Sequence, residues 1–167
     1  MKILILTNSL WNITNFRSEL LTNLNNQNNE IYAFTPIENQ TFTKVTYLKK
    51  IIDVKLKNKT TFYDFIYIIK LFYLILRLKP SLILSYNIKP NIYICLLNYL
   101  FNINIITNVT GLGSSFISKN YKRKLIIRLY YLAFKKATHV FFQNTHDKNL
   151  FIKLKIVKMN NSSCLPG

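Results

Sequence analysis

The chain has 167 residues, half of them hydrophobic, and its 23 lysines and arginines against six aspartates and glutamates give a formal net charge of +17. This length allows one domain with a sizeable core, or one half of a larger protein. The charge favours a polyanionic partner such as nucleic acid, an anionic membrane surface or a phosphorylated ligand; a compositional bias toward Asn, Ile, Lys, Tyr and Phe is an alternative explanation for part of it. The two cysteines have no metal-ligand spacing and predict no disulfide framework.

Apolar runs alternate with helical patterns in the first half of the chain. The run KILIL at residues 2–6 predicts a short buried strand, and apolar residues at helical spacing predict a helix at 14–25. The polar, basic stretch 38–59 interrupts this alternation and contains one weak strand prediction, at 45–48. The other elements predicted in this half are a strand at 31–36, a helix at 62–78 that ends before Pro80, and a strand at 81–86.

The second half continues the same alternation. It predicts helices at 90–101, 121–136 and 145–154, strands at 103–109 and 138–143, and one more strand end at 162–167. Strands that are apolar throughout and separated by helices are typical of a parallel sheet covered on both faces. The sequence therefore predicts an α/β fold, a doubly wound parallel sheet of Rossmann-like type.

One segment, FYDFIYIIKLFYLILRL at 62–78, is apolar enough to test as a transmembrane helix. It carries Asp64, Lys70 and Arg77 within 17 residues, at the low edge of what crosses a bilayer. We expect a helix of the protein core, with a membrane span as the alternative.

Four polar loops follow the predicted strands, at 7–12, 86–91, 110–115 and 144–147. In an open parallel sheet, ligands bind beyond the carboxyl ends of the strands, and three of these loops lead into a helix start that can receive a phosphate. The loops therefore predict a binding site at one edge of the sheet.

Two of the three glycines of the chain, Gly111 and Gly113, lie in one of these loops. The pair matches neither the G-x-G-x-x-G nor the P-loop motif. It indicates either a turn that needs a positive φ or a close approach of the backbone to a sugar or phosphate. His139 and His146 have no spaced partners, and the six acidic residues form no catalytic or metal-binding set, so acid–base chemistry within this chain is poorly supported.

Four stretches of the sequence, taken together, resemble one enzyme family. They are KILILTNSLWNITNFRSELLTNL, LILSYNIKPNIYICLLNYLFNINIITNVTGLGSSF, VFFQNTHDKNLF and SSCLPG. Their order and spacing are similar to the N-terminal half of family-4 glycosyltransferases of the GT-B class. The subgroup that they resemble extends sugars on polyprenyl-diphosphate lipids for capsule, O-antigen or glycoprotein glycans and carries K-P-N-I-Y, N-x-T-G-L-G and F-x-Q-N-x-x-D motifs.

The resemblance implies a division of labour between two Rossmann-like domains. The N-terminal domain holds the acceptor, and the C-terminal domain binds the nucleotide sugar. Because the family's L-P-G normally leads into the second domain, we expect residues 1–167 to be the acceptor-side domain, without a donor-binding domain and inactive alone. The implied reaction is a retaining sugar transfer, without a metal or other cofactor, from a nucleotide sugar to a polyprenyl-diphosphate-linked saccharide. The implied location is cytoplasmic, peripheral on the inner face of the cell membrane.

The resemblance also suggests which residues bind the substrates, but it assigns no catalytic group. Lys89 matches the lysine of the K-P-N segment and is a candidate for the acceptor diphosphate, whereas Thr110 stands where many relatives have histidine. Asp147 is expected to be a helix-start charge rather than a catalytic group. The full set of predicted substrate-binding residues is Asn8, Ser9, Asn87, Lys89, Thr110, Gly111, Gly113 and Asn144.

The basic charge then has several possible partners. The predicted helix at 121–136 mixes basic with apolar and aromatic residues and is expected either to lie on an anionic leaflet or to pack on the sheet with its basic residues in water. A non-catalytic subunit that anchors a split glycosyltransferase at the membrane is an alternative function. A nucleic-acid-binding module is a second alternative, but the sequence lacks helix-turn-helix spacing, an RNP-like strand and a zinc knuckle.

Overall fold

A computed structural model describes residues 1–37, 45–57, 61–112 and 121–165 of the chain. Its seven strands form an all-parallel sheet with flanking helices. In chain order the strands are β1 (Lys2–Leu6), β2 (Glu30–Thr35), β3 (Lys50–Asp53), β4 (Leu82–Tyr86), β5 (Asn104–Val109), β6 (His139–Phe142) and β7 (Ser162–Cys164). In the sheet they lie in the order β3-β2-β1-β4-β5-β6-β7. The predicted α/β class, a doubly wound parallel sheet, is confirmed. The chain divides into two compact units, Met1–Leu84 and Ser85–Gly167.

The first unit contains three parallel strands in register. Ile3 on β1 is opposite Ile31 on β2, and Phe34 on β2 is opposite Ile52 on β3. The side chains of Ile3, Leu4, Ile5 and Leu6 are fully buried, as the apolar run predicts. The elements of this unit are β1 (Lys2–Leu6), α1 (Leu10–Phe16), α2 (Ser18–Asn26), β2 (Glu30–Thr35), β3 (Lys50–Asp53), α3 (Phe62–Leu78) and the first part of β4 (Leu82–Tyr86).

Two predictions in this unit need correction. The single helix predicted at 14–25 is two helices, because Arg17 leaves helical geometry with φ −131° and ψ 1° and the Ser9 hydroxyl starts α1 earlier by accepting a hydrogen bond from the Asn12 N–H. The strand predicted at 45–48 is wrong: Val45 and Leu48 are joined by a turn hydrogen bond of 3.2 Å. The third strand is β3, where two isoleucines pair with the apolar edge of β2.

Helix α3 has the predicted bounds but not the predicted burial. Its first turn is fixed by the Asp64 carboxylate, which accepts a hydrogen bond from the Thr61 N–H at 2.6 Å. One face packs inward, with Tyr67 in edge-to-face contact with Phe34 at 4.8 Å between ring centroids. The opposite face is exposed, so α3 is a core helix on one side only. Among the helices that the structure describes, none combines the length and the hydropathy of a transmembrane span.

The second unit contains the end of β4 and the remaining strands. Thr107 on β5 is opposite Val140 on β6, and Val140 is opposite Ser162 on β7. The predicted strand end at 162–167 is therefore a strand of three residues, with 166–167 outside the described residues. The elements are α4 (Ile88–Phe101), β5 (Asn104–Val109), α5 (Tyr121–Phe134), β6 (His139–Phe142), α6 (Thr145–Lys153), a 3-10 helix (Met159–Asn161) and β7 (Ser162–Cys164).

Aromatic side chains form the centre of the second unit. The Phe151 ring lies within 5.1 to 6.1 Å of the rings of Tyr130, Phe134 and Phe142, so α5, α6 and β6 share one core. The thiol of Cys95 is fully buried, and this burial raises its pKa well above the ordinary value. Its thiol is thus kept in the protonated, unreactive form.

Candidate functional site

The candidate site lies in the second unit, where strands β4, β5 and β6 reach their carboxyl ends. Val109, Phe142 and Cys164 are level with one another in the parallel register, so the segments that follow them leave the sheet at the same edge. Residues 110–112 and 143–147 belong to these segments, and residues 87–91 follow β4, the strand beside β5 in the same parallel sheet. This is the edge at which open α/β sheets bind ligands.

Asn87 has the most unusual backbone at this edge. Its φ of 71° and ψ of 161° fall in a region that is essentially restricted to glycine and costs other residues about 1–3 kcal/mol. It precedes α4 without capping the helix through its side chain. Instead, the side-chain amide donates a hydrogen bond to the Thr110 hydroxyl at 3.4 Å. Two predicted site residues from different loops are therefore joined, and the backbone of one of them is strained.

The start of helix α4 is electropositive. The helix is 14 residues long, and its first turn contains Lys89 but no acidic residue. The aligned peptide dipoles place a partial positive charge at this end, so the helix start and the Lys89 ammonium act in the same direction on an anion. Pro90, which has no N–H to donate, is tolerated in this first turn.

Buried oxygen atoms lie on α4 and on the strands before and after it, β4 and β5. The Asn91 amide donates a hydrogen bond to the Asn108 backbone carbonyl at 2.9 Å, which ties α4 to β5. Four side-chain oxygens in this part of the unit are buried and have no hydrogen-bond partner among the residues that the structure describes. They are Ser85 Oγ, Asn91 Oδ1, Thr107 Oγ1 and Asn108 Oδ1.

Sequence reasoning missed these oxygens, although a signal was present. Polar residues interrupt the apolar strands LILSY and NIITNV at Ser85, Thr107 and Asn108. An unpaired buried oxygen costs free energy, so polar residues inside otherwise apolar strands indicate a water or ligand group nearby.

Gly111 has the backbone that its residue type permits. Its φ of +150° is one that side-chain-bearing residues rarely adopt, and a Cβ built on it meets no described atom within 4 Å. Conformation, rather than contact with the described part of the chain, therefore accounts for the glycine. Close approach to a substrate stays a prediction. Gly113, the second glycine of the pair, lies outside the described residues.

Asn144 is engaged in the local structure of helix α6. Its side-chain oxygen accepts a hydrogen bond from the Asp147 N–H at 2.8 Å, and its amide donates to the Asp147 carboxylate at 3.1 Å. Asp147 is buried and completes this reciprocal cap, in agreement with its interpretation as a helix-start charge. A contact of Asn144 with substrate stays a prediction.

Asn8 and Ser9 belong to the first unit and are engaged there. The Asn8 side-chain oxygen accepts a hydrogen bond from the Asn12 amide at 3.2 Å, and the Ser9 hydroxyl caps α1. Beside them, the hydroxyls of Thr7 and Thr35 lie 2.8 Å apart, both fully buried. The structure thus gives Asn8 and Ser9 a local structural role, and their predicted contact with substrate stays a prediction.

Among the described residues, His139 contacts a serine and belongs to no recognisable catalytic set. His139 Nε2 lies 3.0 Å from the Ser163 hydroxyl, a contact that the sequence does not indicate because 24 residues separate the two. No carboxylate is recorded on the His139 ring in the described ranges, and these ranges contain no cluster of three or more metal-binding side chains. The arrangement at this edge can hold an anion and a polar group, which is a binding role.

No protein-family model and no curated protein matches the chain. Among solved structures, it is similar to sucrose-phosphate synthase from Thermosynechococcus elongatus, with a TM-score of 0.70 and 10% identity over 99% of this chain and 48% of that chain. It is also similar to UDP-GlcNAc 2-epimerase from Neisseria meningitidis bound to UDP-GlcNAc, with a TM-score of 0.66 and 13% identity over 98% of this chain and 45% of that chain. For Anabaena HepE in complex with UDP and glucose, the TM-score is 0.64 and the identity 12%, over 100% of this chain and 44% of that chain.

The chain has the fold of one half of a GT-B protein. It spans a little under half the length of these three solved proteins. The GT-B expectation is confirmed at the level of the fold, whereas family 4 and the subgroup acting on polyprenyl-linked sugars stay predictions. The electropositive start of α4 and the Asn87–Thr110 pair lie at the carboxyl edge of this fold.

Proposed function

We propose that this chain is the acceptor-binding half of a retaining glycosyltransferase that moves a sugar from a nucleotide sugar to a lipid-linked saccharide. The observation that carries the proposal is the start of α4, where a strained Asn87 stands beside an electropositive helix end with Lys89 in its first turn. Strain of this kind persists where the surrounding structure requires it, which is most often at a functional site.

The diphosphate of a lipid-linked saccharide is the group that fits this helix start. It carries the negative charge that Lys89 and the helix dipole favour, and it is the part that all polyprenyl-diphosphate acceptors share. We expect the Lys89 ammonium to contact a phosphate oxygen. Thr110 and Asn87 then lie beside the first sugar, because their hydrogen bond connects the α4 start to the next loop.

The chemical contribution of this half is positioning. Holding the acceptor hydroxyl in line with the donor removes much of the entropic cost of a reaction between two molecules. Basic groups of a donor-binding half stabilise the donor diphosphate as it leaves, and the reaction needs no metal. UDP-GlcNAc bound to the Neisseria epimerase, and UDP and glucose bound to HepE, are the ligands of similar folds that support a nucleotide-sugar partner.

Membrane association follows from the proposed acceptor. A saccharide linked to a polyprenyl lipid remains at the bilayer surface, so we place the protein in the cytoplasm, peripheral on the inner face of the cell membrane. The net charge of +17 supports contact with anionic headgroups.

Binding of a soluble acceptor analogue tests the proposal. A short-chain prenyl diphosphate-linked saccharide is titrated into the purified chain by calorimetry, in the absence of vesicles. Lys89→Ala is expected to weaken binding about tenfold or more, since a charge-assisted hydrogen bond is lost. Lys153→Ala, at an exposed lysine at the end of α6, is the matched control and is expected to leave the affinity unchanged. Equal affinities for wild type and Lys89→Ala would refute the role of Lys89, and no binding by wild type would refute the proposed function.

A second candidate is a non-catalytic subunit that anchors a split glycosyltransferase at the membrane. The exposed apolar face of α3 favours it, because an anchoring subunit needs such a surface. Mixing the chain with a donor-binding half separates the two functions: the anchoring role predicts that Lys89→Ala supports full activity, and the acceptor-binding role predicts that it does not.

A further inference from the structure

Helix α3 carries a row of large apolar side chains that face away from its packed side. Along its 17 residues they follow one another at intervals of three or four, which places them on one face. Between 39% and 73% of each residue's surface is exposed, although a helix of this composition is expected to bury most of it. We call this row the α3 stripe; it consists of Phe62, Phe65, Ile69, Tyr73 and Leu76.

The stripe makes α3 apolar on two opposite faces. The inner face is buried through Tyr67, Leu71, Ile75 and Leu78. A helix that is apolar all round is normally enclosed by protein or lipid. Here the described residues enclose one side, and the stripe extends for about 21 Å on the other. A contiguous apolar surface of this length indicates an interaction site.

Most of the described charges around the stripe are positive. Lys70 and Arg77 are exposed beside Tyr73 and Leu76. At the other end of the helix, the ammonium groups of Lys55 and Lys57 lie 5.7 and 4.9 Å from the centre of the Tyr63 ring. These cations extend the positive potential along the whole stripe.

Two acids among the described residues lie on or beside the helix, and each accepts a hydrogen bond from a backbone N–H. Asp64, the acid in α3, is buried and holds the Thr61 N–H. Asp53, at the edge of a groove of about 480 Å³ that Lys50, Lys70 and Arg77 also line, accepts a hydrogen bond from the Ile37 N–H at 2.9 Å. An aromatic and aliphatic row bordered by lysine and arginine is the pattern of helices that lie in the interface of an anionic bilayer.

We propose that helix α3 lies in the interface of an anionic lipid bilayer, with the α3 stripe toward the acyl chains and Lys70 and Arg77 toward the headgroups. A second copy of the chain is a poorer occupant, because it would bring the same cations against one another in a protein of net charge +17. The α3 stripe is then the surface through which the chain meets the membrane of the proposed function. Membrane binding by the stripe does not require that the protein transfers a sugar.

The competing surface is helix α5, part of the 121–136 segment in which basic and aromatic residues are mixed. Its exposed apolar side chains are Leu125, Tyr131 and Leu132, with the Lys135 ammonium 4.3 Å from the Tyr131 ring centre. They cover a shorter part of the surface than the α3 stripe does. A variant of α5 therefore serves as the matched comparison for a variant of α3.

Vesicle co-sedimentation of the whole chain tests the proposal, with no acceptor saccharide present. Wild type is expected to bind vesicles that contain about one third phosphatidylglycerol and to bind neutral phosphatidylcholine vesicles weakly. The double variant Phe65→Ser/Tyr73→Ser is expected to lose about tenfold or more in partitioning, and Lys70→Gln/Arg77→Gln a similar factor at low salt. Leu125→Ser/Leu132→Ser is expected to bind like wild type. Circular dichroism checks that each variant folds, which exposed positions favour.

A fluorescence measurement gives a direct readout of α3. In a Trp11→Phe background, Tyr73→Trp places the single tryptophan of the chain on the α3 stripe. Its emission is expected to shift to the blue on phosphatidylglycerol vesicles and to be quenched by brominated acyl chains. Unquenched emission from bound protein would overturn the proposal, as would loss of binding in the α5 variant alone. A dimer in vesicle-free sedimentation velocity that the α3 variant dissociates would also overturn it, by assigning the stripe to a protein interface.

Discussion

The side-chain amide of Asn87 donates a hydrogen bond to the hydroxyl of Thr110 at 3.4 Å, from a backbone conformation that suits glycine better than asparagine. We therefore expect Asn87→Gly to raise the free energy of unfolding by about 1–3 kcal/mol, since glycine adopts this conformation without strain. The same variant removes the amide and is expected to weaken binding of the diphosphate-linked acceptor. Urea unfolding and calorimetry measure the two effects.

Asn87→Ala is the control for this pair of effects. It also removes the amide but keeps a Cβ in the strained backbone, so it is expected to bind acceptor as weakly as Asn87→Gly without gaining stability. A destabilised Asn87→Gly would show that the residue is held for stability and not for binding.

Gly111 permits a test of how near the substrate comes to the backbone. Because a Cβ at this position meets no described atom, we expect Gly111→Ala and Gly111→Val to lose stability to a similar extent, about 1–3 kcal/mol from the backbone alone. Acceptor or donor binding in a reconstituted enzyme is expected to fall further with valine than with alanine. Thermal unfolding and kinetic measurements compare the two variants with wild type. Binding that does not depend on the size of the side chain would contradict a close approach of the substrate to the Gly111 backbone.

Asn98 joins three parts of the second unit. Its side chain accepts a hydrogen bond from the Ile103 N–H at 2.7 Å and donates to the carbonyls of Ile103 and Lys136 at 2.8 and 3.1 Å. Asn98→Ala leaves these backbone groups without partners in a buried place and is expected to lower the free energy of unfolding by about 2–4 kcal/mol. Asn102→Gly, at the left-handed end of the same helix, is expected to change it by less than about 1 kcal/mol. Denaturant titration compares them, and equal losses would argue against the network.

Glu30 predicts a pH dependence of stability on the acid side. The pKa of the Glu30 carboxyl lies below its ordinary value of 4.5, mainly because it accepts a hydrogen bond from Lys49 and also because it accepts one from the Tyr32 hydroxyl. A lowered folded-state pKa contributes stability that is present above pH 4.5 and is lost as the pH falls through the folded value. The melting temperature of wild type is thus expected to exceed that of Glu30→Gln slightly near about pH 7, with the difference closing in acid. A difference that grows on acidification would reverse the sign of this prediction.

Much of the fold could be predicted because local signals agreed with the tertiary structure. Helix α3 begins and ends where predicted, since Thr61 and Asp64 fix its first turn and Pro80 follows its end. Strand β3 could not be placed, because it has four residues, is half-exposed at the edge of the sheet and derives its position from pairing with β2. The break at Arg17 could not be predicted either, because the apolar residues of the two helices continue one helical spacing across it.

The candidate site was predictable in outline only. Parallel strands place their carboxyl ends together, so the loops containing Asn87 and Thr110 could be assigned to one edge from the sequence. The backbone of Asn87 could not be predicted, because it depends on how neighbouring elements pack. Polar residues inside the apolar strands did indicate buried oxygens, but the lack of partners for Ser85 and Thr107 among the described residues depends on the same packing.

The hydrogen bond from the Ser81 N–H to the Lys2 carbonyl, at 2.9 Å, joins residues 79 positions apart and has a consequence for biosynthesis. At about 5–20 residues per second, the ribosome needs roughly 4–16 s to make the chain between them. During this time the apolar strand KILIL has no partner on that side, and an unpaired apolar strand is prone to aggregate. The nascent chain is therefore expected to depend on chaperones early in translation and to give better soluble yield when synthesis is slowed by cold.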